Sequence, residues 1–217
     1  MSTGGTPVFD TPTLLSYLVA ALLLAIAPGP GQLLVLARTV AGGRSVGVAT
    51  ALGLAIGYLV HTVAAALGLS ALLARSTVVF AVLQYLGAAY LIWLGVKAFR
   101  TENAASALQP VARGLGFPAA VARGAVTGIL NPKVALFFLA FLPQFVRPER
   151  GQVLVQFLVL GLIFSLLAFL GDTTVVLAAS RATKAVRQSD AFSVWRERAV
   201  GAVLIGLGVR LAVSRRA

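Results

Sequence analysis

Three ionisable side chains and two helix breakers stand inside otherwise apolar runs of this chain: His61, Lys133 and Asp172, with Pro28-Gly29-Pro30 and Asn131-Pro132-Lys133. Each proline removes a backbone N–H and crowds the preceding turn, so an apolar helix breaks there. A break exposes unpaired backbone groups. The helix start beyond it presents N–H groups and about half a positive charge, which suits a carboxylate. The helix end before it presents carbonyls, which suit an ammonium or a proton donor. A zwitterion can bridge the two. This makes Pro28, Gly29, Pro30, Gly31 and Gln32 at the first break, and Asn131, Pro132 and Lys133 at the second, candidate substrate contacts.

Asp172 is the only acid inside an apolar run. Intramembrane acids are costly and mark proton relays or cation sites. The alternative is a helix that ends near Asp172, with Thr173-Thr174 starting a wet edge. His61 exchanges protons near neutral pH, its unperturbed pKa being about 6.5. A core histidine bonded to a carbonyl is the plainer alternative. Asp172 and His61 are thus the proton-coupling candidates. The Lys133 ammonium either belongs to the site or snorkels to the surface.

The elements that must hold these groups are membrane spans of about 20 apolar residues. Six emerge: Leu14–Ala37, Val46–Ala74, Val78–Phe99, Val121–Val146, Val153–Ala179 and Ala199–Val213. A rise of about 1.5 Å per residue puts both breaks roughly 15–22 Å deep, near the middle of the hydrocarbon core. Broken backbone at that depth must be buried in protein or line a cavity. Paired breaks in two halves point to a transporter's binding site. Residues 101–118 read as a linker between halves 1–100 and 119–217. Three spans per half is odd, so the second half is inverted. The expected fold is an all-α integral membrane protein, one domain over 1–217, with six transmembrane helices as two inverted three-helix repeats broken at mid-membrane. Gly53 and Gly57 form a small-residue face for close helix packing. Phe137, Phe138, Phe141 and Phe145 read as core or lipid-facing surface.

Composition agrees. Of 217 residues, 59% are hydrophobic and 11% charged, and mean hydropathy is +0.95. A soluble domain carries about 25% charged residues. Without cysteine there is no disulfide or thiolate chemistry, and one histidine with six acids leaves little for a metal cage. No cofactor and no enzymatic constellation is expected. The net charge of +12 suits anionic lipid rather than nucleic acid. The tail before Thr13 has no Lys or Arg, so no cleavable signal is expected. Arg38, Arg44, Lys97, Arg100, Arg113, Arg181, Lys184, Arg187, Arg196 and Arg198 fall in the first, third and fifth connections. That bias favours both termini outside, while Arg75, Arg147, Arg150, Arg210, Arg215 and Arg216 lie opposite and the basic C-terminus argues the other way.

The motifs together resemble the LysE/RhtB translocator family. The resemblance rests on Ala27-Pro28-Gly29-Pro30, on Gly53 through His61, on Leu86 through Gly95, and on Asn131-Pro132-Lys133-Val134-Ala135-Leu136-Phe137-Phe138 with Phe141-Leu142-Pro143-Gln144-Phe145. It implies a secondary-active exporter of amino acids or amino-acid-like metabolites in the bacterial inner membrane. Its partners would be the amino-acid substrate, a coupling proton and the lipid bilayer, and the assembly a homodimer. Many members carry Asp or Asn after the Pro-Gly-Pro turn, where this chain has Gly31 and then Gln32. Any grip on an ammonium must then come from elsewhere. The alternative within transport is a cation or metal exporter, against which the scarcity of His, Asp and Glu speaks.

Overall fold

The computed structural model describes residues 8–26, 29–71, 77–100 and 114–181, with isolated helical positions at Ala202, Ile205, Gly206, Val209 and Val213. Pro28, residues 101–113 of the expected linker and most of the expected sixth span Ala199–Val213 lie outside the described residues. All described regular structure is helical.

Helix α1 spans Thr11–Ile26. Asp10 caps it, its Oδ1 accepting from the Thr13 N–H at 2.7 Å. Tyr17, Ala20, Ala21 and Leu24 face the protein, while Leu15, Val19 and Ile26 face outward. Helix α2 spans Pro30–Ala64 and passes into a π-turn, Ala65–Leu69. A straight α2 would be about 50 Å long, well beyond the hydrocarbon core. Gly43 prevents that. Its φ of 80° and ψ of −176° are not helical, and a side chain would be strained there. The two arms fold back on each other, for Gly31 lies against Leu54 and Tyr58, and Gly47 against Thr39. The turn falls between the first two expected spans.

Helix α3 spans Thr77–Arg100 and α4 spans Phe117–Ile129. Helix α5, Pro132–Leu136, continues as a π-turn, Phe137–Phe141, and a 3₁₀ turn, Leu142–Phe145. Helix α6 spans Val153–Arg181. By length and apolarity Pro30–Leu69 and Val153–Arg181 can each cross a membrane, and the pair Phe117–Ile129 and Pro132–Phe145, bent by 46°, makes a third candidate.

Glycine sets a close helix crossing. A Cβ on Gly53 would stand 2.1 Å from the Val121 carbonyl oxygen, and one on Gly124 would stand 2.3 Å from that of Thr50. Gly57 meets Gly128 in the same way. The small-residue face of α2 therefore packs within the chain, against α4. Beside it, Phe137, Phe138, Phe141 and Phe145 are all buried, and Phe137 stacks on Phe164 at 4.6 Å. The core reading of these rings holds, and the lipid-facing one does not. Arg38, expected in a basic connection, lies inside α2 and is only 2% exposed. The helix continues to Gly42 before it turns, which carries Arg38 under its neighbours.

At the opposite end the Asp10 carboxylate meets Arg150 at 3.4 Å. Buried Gln156 clips the adjoining segment by accepting from the Arg147 N–H and donating to the Arg147 and Gly151 carbonyls.

Two outcomes are expected. Gly→Ala inside a helix ordinarily stabilises by about 0.5–1 kcal/mol. At Gly53 the methyl meets backbone that cannot move aside, so Gly53→Ala should destabilise by about 1–3 kcal/mol. Thermal unfolding of the purified protein in detergent gives the sign. The bonds from Thr13 and the charge of Arg150 hold the Asp10 carboxyl below its ordinary value. Its small contribution is present above the ordinary carboxylate pKa and lost as pH falls through the lowered one. Asp10→Asn should therefore lower the thermal midpoint slightly near neutral pH, and the difference should vanish in acid.

Candidate functional site

The site is built from the problem a broken helix creates. The last carbonyls of α1 have no partner in their own helix, and Leu24 is fully buried. Two side chains take over. Lys133 Nζ donates to the Leu24 carbonyl at 3.1 Å, and Gln32 Nε2 donates to the Ala25 carbonyl at 2.7 Å. An ammonium is favoured at a helix C-terminus. The residue that follows the second break thus caps the helix that precedes the first, and the two breaks meet.

Asn131 aims Lys133. Its Oδ1 accepts from the Lys133 N–H at 3.1 Å, and its carbonyl accepts from the N–H groups of Val134 and Ala135 at 3.1 and 3.0 Å. Pro132 has no N–H to satisfy. The donors at this helix start, which the sequence suggests are open to a carboxylate, are therefore engaged within the break. The first break differs. Helix α2 begins at Pro30 after an extended Gly29, with no side-chain cap. Gly29 leaves room for the lysine, since a Cβ there would come 3.3 Å from Lys133 Nζ. A Cβ on Gly31 would press on Leu54 and on the Tyr58 hydroxyl at 3.1–3.2 Å.

Asp172 completes the site. Helix α6 runs through it to Arg181, so it is not a helix end. Asp172 is 2% exposed, and its Oδ2 has no hydrogen-bond partner among the described residues. The cavity between the breaks is lined by Gly29, Gly31, Gln32, Asn131, Lys133 and Asp172 on its polar side. Leu24, Ala25, Val134, Phe164 and Ala168 form an apolar side, with Tyr58 between them. In this conformation the cavity is nearly closed: its free volume of about 10 Å³ is room for about one water molecule.

His61 stands apart. It hydrogen-bonds the Ile129 carbonyl at 3.0 Å, at the last residue of α4, and stacks on Phe138. It is not among the residues lining the cavity. Pro30 and Pro132 shape the breaks without being among its lining residues. Sequence reasoning missed Tyr58, Phe164 and Ala168. The last two precede Asp172 by eight and four residues, so helical periodicity from the acid would have found them. Nothing local in the sequence marks Tyr58.

A family model described as LysE type translocator matches residues 22–215, nearly the whole chain and both breaks. The chain belongs to the LysE type translocator family. This translocator is 34% identical over 210 residues to "Uncharacterized membrane protein YrhP" of Bacillus subtilis (strain 168), covering 93% of this chain and 99% of the relative. It is 31% identical over 208 residues to the homoserine/homoserine lactone efflux protein of Salmonella typhimurium, covering 93% and 97%. With the leucine efflux protein of Klebsiella pneumoniae it shares 31% over 198 residues, covering 91% and 93%. No solved structure matches this translocator. The family is one of membrane transporters, not of enzymes.

Lys133→Met in this translocator should strand a buried carbonyl and remove its charge-assisted bond. The expected loss is about 1–3 kcal/mol, read as a lower thermal midpoint in detergent. An unchanged midpoint would mean that the Leu24 carbonyl finds another donor.

Proposed function

We propose that this protein is a secondary-active exporter of amino acids or amino-acid-like metabolites across the bacterial inner membrane, driven by the proton motive force. The observation that carries this reading is the convergence of both helix breaks, Lys133 and Asp172 on one cavity. Two relatives, named for efflux of homoserine or its lactone and of leucine, support the choice of cargo.

The chain works as one transport unit over 1–217, with six spans in two inverted halves, 1–100 and 119–217, joined by 101–118. The reversal at Gly43 and the bent pair α4–α5 agree with that layout. Alternating access rocks one half against the other around the cavity. Both termini lie outside, in keeping with Arg44 beside the Gly43 turn and Arg181 at the end of α6.

Within the cavity each group has one role. The Lys133 ammonium and the uncapped start of α2 at Gly29-Pro30-Gly31 attract the substrate carboxylate. Gln32, Asn131 and Pro132 hold the two breaks in place. Asp172 Oδ2 accepts the substrate ammonium, or a proton once the substrate has left. Exchanging one for the other couples export to the proton gradient. His61, bonded to the end of α4, couples that helix to the protonation state.

The cavity's carboxylate is on α6, whereas many members of the family carry Asp or Asn directly after the Pro-Gly-Pro turn; here Gly31 stands there, against Leu54 and Tyr58. A metal exporter finds less support, since no three His, Cys, Asp or Glu side chains cluster among the described residues.

Proteoliposomes with an imposed pH gradient test the reading. The wild-type protein should move labelled neutral amino acids against their gradient. Asp172→Asn should abolish that movement while the protein stays folded and monodisperse. Undiminished gradient-driven transport by Asp172→Asn would remove Asp172 from the mechanism.

A further inference from the structure

Helix α6 presents Phe164, Ala168 and Asp172 to the cavity at steps of four residues. Side chains at that spacing lie on one face, with Cβ atoms about 5–6 Å apart. The face reads ring, methyl, carboxylate. Asp172 is buried with an unpartnered oxygen, and a buried carboxylate oxygen without a partner favours a proton or a cationic donor at that point. Ala168 is 4% exposed and Phe164 is 1% exposed, and the wall they form is closed by Leu24 and Val134.

We propose that Ala168 is the specificity-determining residue of this cavity and selects neutral α-amino acids with small to medium aliphatic side chains. The inference rests on the exporter reading above and deepens it. An ammonium on Asp172 and a carboxylate toward Lys133 orient the Cα of the substrate. The substrate side chain then points along α6 to Ala168, the small residue of this wall between Asp172 and the Phe164 ring. Any growth at position 168 takes volume from that side chain directly.

Charge sets the class. Asp172 is the one carboxylate among the cavity-lining residues and Lys133 the one ammonium. A zwitterion uses both. A lysine or arginine substrate brings a second cation toward an apolar wall that offers it no acid. A glutamate brings a second anion there, with no further cation. An unpaired charge at such a wall is costly.

Equilibrium binding of labelled alanine, leucine, phenylalanine, lysine and glutamate to the full-length protein in nanodiscs tests this. Wild type should bind alanine and leucine, with lysine and glutamate weaker by roughly tenfold or more. Ala168→Leu should weaken leucine by roughly tenfold while changing alanine by less than about threefold, since pocket discrimination runs at about 10–200-fold per methylene. Ala168→Gly, which adds no clash and guards against misfolding of the larger variant, should improve phenylalanine relative to leucine. Equal weakening of alanine and leucine by Ala168→Leu, an unchanged phenylalanine-to-leucine ratio in Ala168→Gly, or lysine bound as tightly as leucine would overturn the assignment and leave the exporter reading standing. If the folded wild type binds none of the five, the exporter reading fails, and this inference with it.

Discussion

The bond from Lys133 Nζ to the Leu24 carbonyl is the contact on which the arrangement depends. A helix broken inside an apolar bundle leaves carbonyls that water cannot reach, and each unsatisfied group costs several kcal/mol in such surroundings. An ammonium buried at the same depth is costly on its own account. Each relieves the other. The bond spans 109 positions of sequence, so it also fixes where the second break stands relative to the first. Asn131 adds direction, because capping the Lys133 N–H anchors the backbone from which the lysine reaches. Gln32 closes the remaining gap by bonding back across the first break.

That contact forms only if the helices come close enough, and this is the work of glycine. The α2–α4 crossing admits no Cβ at Gly53, Gly57, Gly124 or Gly128. Without a hydrophobic drive between helices in lipid, association relies on such close packing and on buried hydrogen bonds. The aromatic wedge of Phe137, Phe141 and Phe164 fills the space below the breaks. His61 ties α2 to the end of α4. The cavity is bounded by α1, α2, α5 and α6, with Asp172 held at its wall by a helix that runs unbroken past it.

Much of this was legible in the sequence because its signals are local. Apolar length marked the first five runs, which hold α1 to α6, and the Pro-containing breaks stood out against them, since a proline inside a helix leaves no choice of backbone. Asp172 and Lys133 were visible because charge inside an apolar run is expensive wherever the run ends up. The motif set pointed to the translocator family that the comparisons establish. Gly53 and Gly57 announced a close approach, although not the partner that they approach.

What the sequence by itself determined, then, is the helical class, where the described helices break and which costly groups need partners. Only the tertiary structure decided the pairings. It assigned Lys133 to the carbonyl of a helix more than a hundred residues away, engaged the N–H donors of the second break with Asn131, and left the start of α2 without a side-chain cap. It placed His61 on a backbone carbonyl outside the cavity, buried Arg38 in a helix, and brought Tyr58, Phe164 and Ala168 to the wall facing both breaks. The physical reason is one of range. Backbone breaking and membrane burial act within a few residues and leave a pattern along the chain. The partner of a buried donor or charge is chosen by which helices cross and how closely, and that geometry exists only once the bundle has formed.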